Sequence, residues 1–389
     1  MPLSRAALLM NRPPLLYRLP VTNRFVAPNS DALSSGLGSS TWAQSMTEHT
    51  AFQDMNHFQA DVWGWKVAAG LADTGIPRTV TGMLEYPLGM FRNFTWAGAT
   101  TKSVASGSTT NKSDVLSLSA PVPRGAKFRL HWQETFSAFI GVQCAHRFGG
   151  DAYGFGTGTP PALGTTYATT TGNLGMVSPN ALTALMPEKR KIIAFMGASN
   201  TVDPGYATDA YGATSFGRGL SDYRGVCFFK CADVGSTIGV NYNHLSFRLA
   251  SWVAQGVTDL MVHWGTNDLS NTDVSATMIS NTDAMVASIA AAGIVPHIST
   301  LPPKYNTAPN SGGHPAFEAT RIPYNAYVRS SSNTGNYGKY WEPAASVETA
   351  FESGFWITNG SSDGVHINWG NSTIATPVLN RVRNDFYGF

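Results

Sequence analysis

Apolar runs separated by helical patterns dominate the chain from about residue 190 onward. Four runs consist mostly of apolar residues, as in strands covered on both faces; they are 192–196, 225–234, 260–264 and 294–300. Apolar residues also recur at helical spacing, at Leu245, Leu249, Trp252 and Val253, at Met278, Met285 and Ile289, and at Ile374, Val378 and Val382. This alternation of strand and helix predicts a parallel sheet with right-handed crossovers, sandwiched by helices.

The first 187 residues follow a different pattern. Short alternating runs, such as 113–122 and 126–143, are separated by clusters of Gly, Ser and Thr, which predicts a β-rich domain with many turns. We expect an irregular arm at 1–60, a β-rich accessory domain at 61–187 and an α/β domain at 188–389. The glycine-rich stretch 149–166 lacks the order of a dinucleotide-binding motif, and we interpret it as a loop that links the domains.

Composition and charge narrow the functional classes. Charged residues are 13% of the 389 residues and the net charge is +2, which argues against a dedicated nucleic-acid surface. No apolar run is long enough to span a membrane, and Ala6–Met10 is too short for the core of a signal peptide. The low charge and high Gly content favour an extracellular or virion-associated protein. In that setting the N-terminal half would mediate homo-oligomer or virion assembly.

Cysteine and histidine spacing suggests neither disulfides nor a metal. Cys227 and Cys231 lie about 13 Å apart if they share a strand, too far for a bridge, and Cys144 is the only other cysteine. We expect free thiols, no metal and no other cofactor. Trp63 and Trp65 would share one face of a strand, either as a sugar-stacking platform or, with more weight, as core residues.

Polar residues follow several of the predicted strands. Ser199 comes directly after the first strand, in the stretch KIIAFMGASNT, where it is either a nucleophile or a helix cap. Gly235 follows the second strand, Asn267 follows the third in HWGTND, and Asp363 and His366 precede the last helical pattern in SSDGVHIN. Because the carboxyl ends of parallel strands meet at one edge of a sheet, we expect these residues to converge.

These residue types supply the parts of a serine hydrolase. A serine hydroxyl needs a base to take its proton, which His366 can do, and Asp363 can hold the imidazole in the required tautomer. The backbone N–H groups of Ser199 and Gly235 and the side-chain amide of Asn267 are candidate donors to an oxyanion. The motifs are weak one by one; their order on one sheet edge is what carries the prediction.

The C-terminal 200 residues resemble the SGNH hydrolases, also called the GDSL esterase/lipase family. The resemblance depends on Ser199, Gly235, Asn267 and His366 in four blocks, together with the Leu-Pro-Pro at 301–303. It implies a three-layer α/β/α sandwich with a flavodoxin-like parallel sheet, and hydrolysis of esters. The first block departs from the family pattern, since Ala198 stands where Asp is usual.

Several residues retain a structural alternative. Gly235 and Asn267 can be ordinary turn residues, and Asp268 is expected to brace its own loop. Trp264 and Asn200 are candidates for the substrate pocket, although core packing is as good an interpretation for Trp264.

Two functions follow from these patterns. The first is a serine esterase that removes acyl groups, most simply acetyl, from a polysaccharide or another small ester. The second is a phage-tail or surface-attachment protein that uses the esterase-like fold for glycan binding, with little or no catalysis.

Overall fold

The computed structural model describes residues 15–21, 40–66, 74–137, 152–165, 167, 177–198, 227–232, 236–239, 245–269, 272–305, 315–330, 340–361, 364–365, 367 and 377. For residues 227–232 and 315–316 it describes the backbone alone.

The N-terminal half is built from antiparallel strands. Its strands are β1 (Tyr17–Pro20), β2 (Trp42–Thr50), β3 (Asn56–Asp61), β4 (Trp65–Lys66), β5 (Thr74–Gly75), β6 (Arg78–Glu85), β7 (Phe91–Asn93), β8 (Thr101–Val104), β9 (Lys127–Thr135), β10 (Ala152–Gly156) and β11 (Ala181–Met186). The largest sheet has the order β10-β2-β9-β6-β7, and β8 also pairs with β6. A smaller sheet has the order β1-β11-β3, and β4 pairs with β5. The predicted β-rich domain is therefore present.

Three local expectations in this half differ from the structure. The segment 1–60, expected to be irregular, contributes β1, β2 and most of β3, because β1 and β3 pair with β11 and β2 pairs with β9. The stretch 149–166, expected to be a linking loop, contains β10, whose Tyr153 is buried. The run 113–122 forms only isolated bridges, from Leu116 to Phe58 of β3 and from Val122 to Met55, the residue before β3.

The C-terminal half contains the expected parallel sheet. Its strands are β12 (Ile192–Gly197), β13 (Cys227–Ala232), β14 (Asp259–His263) and β15 (Val295–Ile298), and every described pairing among them is parallel. The order is β13-β12-β14-β15, which matches the first four positions of the 2-1-3-4-5 order of flavodoxin-like sheets. In this order β13 is added on one side of β12, and β14 and β15 are added on the other side. Open α/β sheets bind ligands at the point where the strand order reverses in this way.

The helices of this half follow the predicted apolar positions. They are α1 (Leu245–Ala254), α2 (Ser275–Ala291), α3 (Pro315–Arg329) and the short α4 (Pro343–Val347). The predicted apolar residues of α1 and α2 are buried, except Val253, which is exposed. The helix expected near the C-terminus lies outside the described residues except for residue 377, which is helical; Cys144 also lies outside them, and the side chains of Cys227 and Cys231 are not described.

The β-rich half packs directly against α1. Trp65 Nε1 donates to Ser251 Oγ over 2.9 Å, and the Trp65 ring stacks at 6.4 Å on Phe247. Gln255 Nε2 donates to the buried carboxylate of Asp61 at 2.5 Å. Trp65 is 0% exposed, and its neighbour Trp63 is also buried and stacks on it. The two tryptophans are therefore core residues, and the sugar-platform alternative is wrong.

Candidate active site

The structure describes part of the predicted site directly and the rest through its chain neighbours. Asn267 and Trp264 are among the described residues. Ser199, Asn200, Gly235, Asp363 and His366 lie outside them. The contacts made by residues next to these positions show which loops lie close together.

The end of β12 lies between the ends of its two neighbours. Gly197 is in register with Ala232 of β13 and with His263 of β14. The next residue, Ala198, is buried, and its N–H lies 3.4 Å from the carbonyl oxygen of His263. The chain therefore reaches residue 198 at the carboxyl edge of the sheet, one position before the predicted nucleophile.

The segments after β13 and β14 are joined through Ser236. Asn267 Nδ2 donates to the carbonyl oxygen of Ser236 over 3.0 Å, and Trp264 Nε1 donates to Ser236 Oγ over 3.0 Å. An amide nitrogen carries two hydrogens, and among the described residues only the carbonyl of Ser236 accepts from Asn267 Nδ2. The bond to Ser236 fixes the plane of the amide, so its second hydrogen has a defined direction.

A second connection joins the same two segments. The backbone N–H of Ile238 lies 3.0 Å and 3.2 Å from the two carboxylate oxygens of Asp268. Burial raises the pKa of Asp268 to about 6, against the lowering effects of this hydrogen bond and of the Lys304 ammonium. Asp268 therefore holds the neighbouring segment as well as its own turn, which extends the role expected from the sequence.

The turn after β14 requires glycine at position 265. Gly265 has φ of +123°, a region that side chains rarely adopt. A Cβ there would lie 2.7 Å from Cδ1 of the buried Leu301. The carbonyl of Gly265 accepts from the N–H of Asp268 at 2.9 Å, which closes the turn that presents Asn267.

The loop that carries Asp363 and His366 in the sequence contacts the segment after β15. The backbone N–H of Tyr305 donates to the carbonyl oxygen of Gly364 over 2.9 Å. Gly364 has φ of +76°, and a Cβ on it would approach Cβ of Tyr305 to 2.9 Å. The N–H of Gly364 also donates to Ser361 Oγ over 2.9 Å. Gly364 thus lies against the segment that follows β15, the strand next to β14 in the sheet.

Three residues connect these loops but belong to none of the predicted site residues: Ser236, Lys304 and Tyr305. Lys304 Nζ donates to the carbonyl oxygen of Leu269 over 3.2 Å and lies 5.1 Å from the ring centre of Phe317. In the sequence, only their positions point to a role near the site: Ser236 follows Gly235, and Lys304 and Tyr305 follow the Leu-Pro-Pro at 301–303.

Trp264 is buried and holds the segment after β13 through a hydrogen bond to Ser236. It is 2% exposed, its ring lies 5.6 Å from the guanidinium of Arg248, and its N–H is used on Ser236. This favours the core-packing interpretation over an open pocket wall. His263, the preceding residue, is buried with Nδ1 at 2.6 Å from Ser299 Oγ, and burial lowers its pKa to about 4.

Within the described residues, no helix is both long and apolar enough to cross a lipid bilayer.

No protein-family model matches the chain, and no curated protein matches it. Solved structures do resemble it. A GDSL-like lipase from Bacteroides thetaiotaomicron is 14% identical with a TM-score of 0.36, over 49% of this chain and 87% of its own. A member of the lipolytic G-D-S-L family from Veillonella parvula is 16% identical with a TM-score of 0.37, over 49% and 97%. Protein YXIM from Bacillus subtilis is 13% identical with a TM-score of 0.36, over 88% and 82%. The GDSL-type lipases and the esterase among these solved structures each match about half of this chain.

Proposed function

We propose that this chain is a serine esterase of the SGNH type. One observation supports the proposal, namely that a described residue in or beside each of the four sequence blocks contacts the end of a strand of the parallel sheet or the segment that follows one. Ala198 contacts β14, Ser236 contacts Asn267, and Gly364 contacts Tyr305 after β15. Open α/β sheets bind their ligands at this edge. We also expect helices on both faces of the sheet.

In the proposed reaction, each triad residue and each oxyanion donor has a defined role. Ser199 Oγ attacks the acyl carbon while His366 takes the hydroxyl proton, with Asp363 holding the imidazole. The carbonyl oxygen becomes an oxyanion that accepts from the Ser199 and Gly235 N–H groups and the second N–H of Asn267. The C–O bond then breaks, and the alcohol leaves with the proton from His366. Water, deprotonated by the same base, attacks the acyl-enzyme, releases the carboxylic acid and restores Ser199.

We further propose an acetyl ester on a polysaccharide as the substrate. The β-rich half supports this choice, because it packs on α1, which begins ten residues after Gly235. Such a domain can present an extended polymer beside the site. The low content of charged side chains, 13%, suits a neutral glycan better than an anionic ligand. Acetate release from an O-acetylated glycan, with poor activity on long-chain lipid esters, is the expected preference.

The test compares the wild type with Ser199→Ala on p-nitrophenyl acetate and then on a panel of acetylated glycans. Ser103→Ala is the matched control, since Ser103 is exposed on β8 in the β-rich half. We expect turnover that Ser199→Ala abolishes and Ser103→Ala leaves unchanged. A well-folded wild type that hydrolyses no acetyl or butyryl ester would refute the proposal and favour a scaffold kept for binding.

A further inference from the structure

We infer that Asp268 is a positioning residue for the oxyanion site, holding the segment after β13 in place through its carboxylate. The inference rests on the proposed function. Ile238, whose N–H Asp268 binds, lies three residues after Gly235, the predicted backbone donor. Three residues span at most about 10 Å, so the Ile238 N–H that Asp268 holds lies within about 10 Å of the predicted donor at Gly235.

The turn after β14 holds the segment after β13 at two points, Ser236 and Ile238. Asn267 and Trp264 both donate to Ser236, whereas Asp268 accepts from Ile238. The two anchors lie on either side of Thr237, and both come from the turn after β14. Asn267 and Asp268 are adjacent, so the same turn carries a predicted oxyanion donor and sets the segment that carries another. One displacement of this turn would therefore disturb two of the three donors.

The environment of Asp268 suggests that its charge serves function more than stability. Among the described residues, the titratable groups that act on it are Lys304, which favours its ionised form, and Tyr324, whose pKa it helps to raise. Burial outweighs Lys304 and raises the pKa of Asp268 to about 6. A carboxyl group whose folded pKa is raised costs stability above its ordinary pKa, because the folded state disfavours the ionised form. Removing the charge should therefore not lower the melting temperature at neutral pH.

A matched pair of substitutions tests this assignment in the full chain. Asp268→Asn removes the charge and keeps one acceptor oxygen, whereas Asp273→Asn changes an exposed aspartate five residues later whose carboxylate bonds to the N–H and the side chain of Ser275 at the start of α2. We expect Asp268→Asn to lower kcat about 10- to 100-fold on p-nitrophenyl acetate, as a displaced catalytic group does, with KM changed less than about threefold. Asp273→Asn should match the wild type.

Two further readouts separate positioning from simple structural support. In a plot of log kcat against pH, the acid side of the wild-type curve should have a slope greater than one, because both the base and Asp268 must be deprotonated. In Asp268→Asn the slope should fall to one, because only the base still titrates. Hydrogen exchange measured at residues 236–238 should be faster in Asp268→Asn than in Asp273→Asn, while the melting temperature at pH 7.0 stays equal or rises.

The results for Ser199→Ala and Asp268→Asn test the esterase function and the positioning role of Asp268 separately. If Ser199→Ala abolishes activity but Asp268→Asn keeps wild-type kcat and pH profile, the positioning role is overturned and the esterase stands. A fall in melting temperature that fully accounts for the lost activity also overturns it. If the wild type and Ser199→Ala are equally inactive, both proposals fall together.

Discussion

The side-chain amide of Asn267 donates to the carbonyl oxygen of Ser236 over 3.0 Å, which joins the turn after β14 to the segment after β13. This bond orients the amide and leaves its second hydrogen for another acceptor. The residue expected from sequence to donate to an oxyanion is thus held by the segment that follows Gly235, its predicted partner donor.

Asn267→Ala should lower kcat about 10²–10³-fold with a small change in KM, because a donor to the oxyanion acts mainly in the transition state. Steady-state kinetics on p-nitrophenyl acetate measures this. Asn93→Ala, an exposed change on β7, is the control and should behave as the wild type. Equal kinetic constants for Asn267→Ala and the control would remove Asn267 from the oxyanion site.

The parallel sheet could be predicted because each of its strands lies in a run of mostly apolar residues. β12, for instance, is buried at all six positions, so its sequence has no polar face to obscure the pattern. The turn at 265–268 could be predicted in kind, since Gly-Thr-Asn-Asp follows a strand. What it contacts could not, because Ser236 and Ile238 lie about 30 residues away and no local pattern encodes that pairing.

The N-terminal half was harder to predict for a physical reason. β2 is nine residues long and rich in polar residues, yet Gln44, Ser45 and Thr47 are all buried in it. A polar residue on a buried face erases the alternation that predicts a strand, so the segment looked irregular. The spacing of Trp63 and Trp65 predicts that they share one face, but only the packing of Trp65 on Phe247 of α1 identifies that face as core.

Gly265→Ala should destabilise the fold by about 1–3 kcal/mol, the usual cost of overpacking, because its Cβ would lie 2.7 Å from Leu301 Cδ1. Thermal or urea unfolding measures this loss. Gly98→Ala separates the contact from the backbone effect, since Gly98 has φ of +83° and a Cβ there meets nothing within 4 Å. If both variants lose the same stability, backbone conformation alone is responsible and the contact with Leu301 contributes little.

Separating the two halves should destabilise the C-terminal one. Trp65 and Asp61 bury against Ser251, Gln255 and Phe247, so a fragment of residues 188–389 would expose this surface of α1. We expect the fragment to unfold at a lower temperature than the full chain, or to aggregate.

A single substitution gives the same test in the full chain. Trp65→Ala should cost about 3–5 kcal/mol, the range for truncating a buried aromatic side chain. Trp65→Phe keeps a ring but loses the donor to Ser251, and it should cost about 1 kcal/mol. Urea unfolding of both variants measures the difference. A fragment as stable as the full chain, together with a mild Trp65→Ala, would show that the halves are independent.

Stability should fall as the solution is acidified, in part through His263. Burial lowers the pKa of His263 to about 4, below the ordinary histidine value of about 6.5. The unfolded chain therefore takes up the proton first, so the contribution of this group is complete above about pH 6.5 and is lost as the pH falls toward 4, with a total of about 3 kcal/mol. His263→Asn keeps a polar group near Ser299 and cannot titrate, so its melting temperature should fall less between pH 7.0 and pH 4.5. An unchanged slope in His263→Asn would assign the acid sensitivity to other groups.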